Sequence, residues 1–150
     1  MLLKRPFALL ALLIGSWSCG AAGPATPVLE LARAKAIWNA SAIPNYEYVV
    51  ANQCFCGFGG VPVRIVVENG VVTSMTILAS GQPVPPTAAS AYHDINGLFL
   101  VIDDAIRRNA AVISAEYSPV YGFPSSVFID YVRSAADEEF GFEVQSFLRR

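Results

Sequence analysis

From Val61 to Ala79 apolar and polar residues alternate in two runs that meet at Asn69-Gly70. Both members of that pair tolerate positive φ, so the segment predicts a β-hairpin closed by a two-residue turn. Such a turn sets Glu68 opposite Val71, Val66 opposite Thr73 and Arg64 opposite Met75, with Val61, Val63, Ile65 and Val67 on the inward face. The outward face mixes Arg64 and Glu68 with Val66. Tyr46–Cys54 reads as a strand from its aromatic and β-branched content. Further strands are expected over Ala111–Tyr117, Ser125–Val132 and Phe142–Leu148.

Two stretches carry a helical period instead. Thr26-Pro27 supplies a cap followed by proline at the first helical position, and Leu31, Ala34 and Trp38 then share one face until Pro44 stops the helix. Asp94 caps a second helix whose stripe is Ile95, Leu98, Phe99, Ile102 and Ile106. Arg107 and Arg108 close it where the helix dipole favours cations. Ser80–Ala91, with its three prolines, reads as a surface loop, and Cys56-Gly57-Phe58-Gly59-Gly60 as a flexible turn.

The order is helix and three strands, given twice, which defines an α+β domain: an antiparallel sheet with helices packed on one face. Gly60-Val61-Pro62 and Gly122-Phe123-Pro124 each open a strand, and an acid, Glu68 or Asp130, follows six residues past each proline. Two tandem αβββ units are one reading of this parallel. Ordinary alternation punctuated by Gly and Pro is the other.

The N-terminal residues change where this domain is expected to work. Lys4 and Arg5 precede nine apolar residues, Pro6–Ile14, too few for a bilayer span of about 20 and right for an export-signal core. Two cleavage readings follow. Ser16-Trp17-Ser18-Cys19-Gly20 resembles a lipobox, which would make Cys19 the lipidated first residue; Gly20-Ala21-Ala22 suits an ordinary signal peptidase. The expected organisation is a signal peptide over 1–22 with lipid attachment at Cys19, a tether over 23–27 and a single α+β domain over 28–150. Removing Lys4 and Arg5 leaves 10 − 2 = 8 basic against 12 acidic residues, a net charge of −4. That balance argues against nucleic acid and against electrostatic attachment to anionic lipid, so an acyl chain is the expected link to the membrane.

Chemistry-bearing residues are few. Cys54-Phe55-Cys56 is the unusual one. Residues two apart on a regular strand hold their β-carbons beyond the roughly 3.5–4.5 Å a disulfide requires, so a bond here needs the chain to curl. The glycines that follow permit it. A structural disulfide, an inert reduced pair, and a redox or metal role all stay open; a strained small loop would raise the reduction potential. A metal site needs three or four ligands, and only His93 and Met75 are soft candidates, with no ligand spacing. His93 reads as a loop residue beside the Asp94 cap. With one histidine and no Gly-x-Ser-x-Gly, no catalytic triad can be assembled, and Gly57-Phe58-Gly59-Gly60 lacks the Lys-Ser/Thr of a phosphate loop. Asp137-Glu138-Glu139 reads as a solvated turn. Tyr46, Tyr48, Tyr117, Tyr121, Phe123 and Tyr131 read as packing residues before a ligand platform. No catalytic residue, metal site or cofactor is expected.

Several of these pieces coincide in a known pattern. Tyr46-x-Tyr48, Cys54-Phe55-Cys56, Pro62-Val63, Asn69-Gly70, Asp94-Ile95-Asn96-Gly97-Leu98-Phe99, Tyr121-Gly122-Phe123-Pro124, Ile129-Asp130-Tyr131 and Asp137-Glu138-Glu139 together resemble the bacterial domain of unknown function 6174, over residues 38–147. The chain departs from it at Gly57, where proline is common after the second cysteine. The resemblance implies small exported proteins described as lipoproteins and carries no activity. Two function classes remain. The first is a non-catalytic envelope module that binds a protein or small ligand. The second is a thiol redox or metal-handling protein using Cys54 and Cys56.

Overall fold

The computed structural model of the chain describes residues 26–135 and 137–150. The element order is α1 (Pro27–Ser41), β1 (Tyr46–Cys54), β2 (Pro62–Glu68), β3 (Val71–Ile77), α2 (Pro86–Ala89), α3 (Ile95–Arg107), β4 (Val112–Tyr117), β5 (Pro124–Asp130) and β6 (Phe140–Arg149). The strands form one open antiparallel sheet in the order β3-β2-β1-β6-β5-β4, and α1 and α3 pack on one face of it. The α+β reading holds. Among the described residues no helix is long and apolar enough to cross a membrane.

Both long helices begin as their caps require. The Thr26 side chain accepts from the Leu29 N–H and the Asp94 Oδ1 accepts from the Gly97 N–H at 2.8 Å, each filling one of the orphan donors of a first turn. Leu31, Ala34 and Trp38 are buried from α1. From α3 the buried set is Ile95, Leu98, Phe99, Ile102 and Ala105, so Ala105 takes the innermost place expected of Ile106, which is only partly buried. The short α2 lies inside the segment expected to be loop.

The hairpin turn forms with φ of 52° at Asn69 and 75° at Gly70, and Glu68 faces Val71. Past Val67 the expected register fails: Val66 pairs with Ser74, not Thr73, and Arg64 with Thr76, not Met75. One extra residue, Thr73, bulges from β3. The reason lies in the spacing of Val72, Met75 and Ile77, which a strict two-residue period would split between faces. The bulge restores Met75 and Ile77 to the core side, opposite Ile65 and Val63. A second bulge in β6 does the same. Val50 pairs with Val144 and Val49 with Ser146, so Gln145 is extra and Phe147 returns to the face occupied by Phe142 and Val144.

The helix-and-three-strand order occurs twice, and the local parallel holds: Pro62 and Pro124 open the middle strands of the two halves, after Gly60 and Gly122 with φ of 75° and 77°. The halves nevertheless meet through β1 and β6, the first strand of one against the last of the other. Each half runs third-second-first across the sheet, an order that two tandem αβββ units would share but that does not establish a duplication.

Candidate functional site

Along β1, side chains at alternate positions reach the chain segment that leads into α3. The Tyr46 hydroxyl accepts from the Ile95 N–H at 3.1 Å, the Tyr48 hydroxyl donates to the His93 carbonyl, and Asn52 Nδ2 donates to the Ala91 carbonyl at 2.8 Å. Residues 46, 48 and 52 on one strand face thus meet 95, 93 and 91 in reverse order, a side-chain ladder where main chains cannot pair. Asn52 is the one buried polar residue among those described, and this bond satisfies it. Burial pushes the Tyr46 phenol up to about 12, and pushes that of Tyr48 well above its usual value. Trp38 Nε1 donates to Asn96 Oδ1 at 3.2 Å and links the two helices.

The same end of β1 is closed by aromatic packing. Trp38 meets Tyr46, Phe123 and Phe147 edge-on, and Phe147 stacks on Phe123 with centroids 4.6 Å apart. α1 can approach this cluster because residue 122 is glycine. A Cβ there would overlap the Ala34 carbonyl oxygen and come within 2.8 Å of Ile37 Cβ. Gly97 serves α3 likewise, since its Cβ would fall 2.6 Å from that of His93. Tyr131 lies beneath the Arg108 guanidinium, 3.9 Å from it, and Tyr117 packs partly buried against the core. The six aromatics singled out in the sequence therefore pack with other side chains.

The opposite end of β1 is different. Cys54 and Cys56 lie with sulfurs at disulfide distance and Cα atoms 5.3 Å apart. The curl that brings them together is fixed by hydrogen bonds: Gly60 N–H to the Asn52 carbonyl at 2.7 Å, Gly59 N–H to that of Cys56 at 3.0 Å, and Val61 N–H to that of Phe58 at 3.2 Å. The segment expected to be a flexible turn is an internally bonded one. Gly59 is obligatory because a Cβ would run into the Cys54 carbonyl, whereas the space around Gly57 is open, so the residue that departs from the family pattern is sterically unconstrained. Phe55, between the cysteines, is 84% exposed. Strands β1, β3 and β5 all end on this side, two strands apart and so separated by about 10 Å each. Their first loops present Phe55, Leu78 (43% exposed) and Val132 (49%) in a row.

The remaining expectations resolve as follows. His93 precedes the Asp94 cap, half-buried, and Met75 packs against the core from β3. Among the described residues no three of His, Cys, Asp and Glu converge as a metal cluster. Glu138 accepts from the Val132 N–H and so braces the β5–β6 turn, a use of the acidic triplet the sequence did not reveal. Cys19 lies outside the described residues. What sequence reasoning missed is the Tyr46–Tyr48–Asn52 ladder; its signal was polar tips at 46, 48 and 52, on one face of an otherwise buried strand with Val50 between them.

Fold and site together define a class: a helix-backed antiparallel sheet whose central strand is anchored at one end and carries an exposed, cysteine-bracketed tip at the other. The chain belongs to the family of unknown function DUF6174, whose model matches residues 30–149. No curated protein and no solved structure matches it.

Proposed function

We propose that this is an exported envelope protein, lipid-anchored through Cys19, that acts as a non-catalytic module binding a protein or small ligand through the Cys54–Cys56 end of the sheet. The observation that carries this reading is Phe55, an aromatic side chain 84% exposed on a turn fixed by three main-chain hydrogen bonds. An aromatic side chain has only two rotatable bonds and a large apolar area, so it costs little entropy to bury on a partner, which is the usual character of an interface anchor. Leu78 and Val132 extend the surface. The outer sheet face is a poorer candidate, because its large exposed apolar residues are scattered: Phe128 sits at one end, and Leu148 and Val71 at the other lie three strands apart.

Pull-down from intact envelopes with the anchored form tests the reading. Wild type should retain a partner that Phe55→Ala loses at unchanged melting temperature; equal retention by the two would refute it. The mass of the mature amino terminus reads lipidation at Cys19 separately. The second reading, thiol redox or metal handling by Cys54 and Cys56, is favoured by the exposure of Cys56, which opens the pair to thiol exchange. Thiol titration with metal analysis decides it. Oxidised cysteines inert to mild reductant, with no bound metal, would dispose of it.

A further inference from the structure

The sheet has two edges, and only one of them is strapped. Along β3 the chain folds back: the Ile77 N–H donates to the Gln82 carbonyl at 2.8 Å, the Val84 N–H donates to the Met75 carbonyl at 3.0 Å, and Thr76 bridges Pro83. Prolines at 83, 85 and 86 complete a strap over the second half of β3 that no further strand can join there. At β4 nothing comparable exists. Among the described residues no main-chain group outside β5 bonds to β4, and Val112-Ile113-Ser114-Ala115-Glu116-Tyr117 contains neither proline, lysine nor a bulge of its own. The one irregularity in this pairing, at Glu116/Tyr117, places its extra residue, Ser125, on β5. An unpaired row of amide and carbonyl groups is thus left as a template for another strand.

Beside this edge runs a groove of ≈ 350 Å³ between α1 and β4, lined by Glu30, Ala34, Ile37, Ala115, Tyr117 and Pro119. A strand added to β4 would send alternate side chains into it. The sequence of β4 is complementary to itself about Ala115. In an antiparallel pairing of two copies centred there, Tyr117 faces Ile113 of the second copy and Ile113 faces its Tyr117, both on the helix side. Glu116 faces Ser114, and no like charges meet. Aromatic against β-branched is a favourable cross-strand pair, and here it occurs twice. The small side chain, Ala115, falls on the axis.

We infer that two copies of this chain join β4 to β4 in antiparallel register about Ala115, each seating Ile113 beside Tyr117 in the other's groove and making one twelve-stranded sheet. The contact is isologous and closes on itself, so it stops at a dimer. It leaves the Phe55 end of each sheet free and does not depend on the function proposed for it.

Sedimentation velocity on the full chain over a concentration series tests this, with two variants at an exposed position. Ser114→Glu sets an added carboxylate against Glu116 of the second copy, twice per dimer, and should raise the dimer dissociation constant about tenfold. Ser114→Lys sets an ammonium there and should tighten the dimer in low salt, an effect that added salt removes. Opposite shifts from two substitutions at one site cannot come from misfolding. A chain that stays monomeric at every concentration, or a dimer that both variants leave unchanged, would overturn the inference.

Discussion

The two ends of β1 carry equally distinctive residues and use them in opposite ways. At its start Tyr46 and Tyr48 are buried, their hydroxyls bonded to the lead-in of α3, amid the Trp38–Phe123–Phe147 cluster. The surrounding turns are tied in as well: the Asn69 N–H donates to Asn45 Oδ1 at 2.7 Å, and the Gly70 N–H to the Pro44 carbonyl at 2.9 Å. At its finish Cys54-Phe55-Cys56 spends its hydrogen bonds on holding a turn outward. The residues at the two ends of β1 therefore fall into two groups. One specifies a fold, and the other specifies what the fold holds in solvent. Burial and bonding separate them where residue identity does not.

That contrast can be strained in order of effect. Alkali should strike the buried end hardest. The Tyr46 and Tyr117 phenols are pushed up to about 12, that of Tyr48 is raised well above its usual value, and burial is the chief cause in all three. Each is raised above its unfolded value, so its contribution is complete below pH 10 and is lost as pH rises, for Tyr46 and Tyr117 from 10 through about 12. Unfolding followed by circular dichroism should stay flat up to pH 10 and then steepen. A fold indifferent to pH 12 would mean these hydroxyls are not buried as described.

Gly122→Ala is next. It forces a Cβ into a left-handed residue with φ of 77° and against the α1 backbone. Left-handed strain and overpacking together should cost about 3 kcal/mol in a denaturant titration. A loss below about 0.5 kcal/mol would show that α1 does not rest on that turn. Asp94→Ala removes the oxygen that accepts the Gly97 N–H and should cost about 1 kcal/mol. Amide exchange reads this effect locally, with the first turn of α3 losing protection before the strands.

How much of this was legible in the sequence depends on range. Features set by neighbouring residues were open to reading. The Asn69-Gly70 turn, the Thr26 and Asp94 caps and the strand Tyr46–Cys54 all follow from local preferences. Features set by distant partners were not. Whether Thr73 bulges depends on which residues of β3 the core of β2 will accept, although the spacing of Val72, Met75 and Ile77 held the clue. Ala105 turns inward in place of Ile106 because the fit against neighbouring elements, not the helical period, makes that choice. The Tyr48 hydroxyl finds its acceptor 45 residues away, so its role could only be read as packing. The Cys54–Cys56 end was conspicuous by composition, yet its exposure and its hydrogen-bonded rigidity emerge only once Gly60 is seen reaching back to Asn52.

The comparison rests on one contrast that a single denaturant series can read. Tyr48→Phe deletes one hydroxyl and strands the His93 carbonyl, at a cost of roughly 1–3 kcal/mol. Phe55→Ala deletes a whole ring from solvent and should change stability by no more than about 0.5 kcal/mol. Urea unfolding of both, against wild type at pH 7, is the direct test. A large loss for Tyr48→Phe beside a negligible one for Phe55→Ala is the expected result. The reverse order, or equal losses, would contradict the division of β1 into an anchored and a presented end.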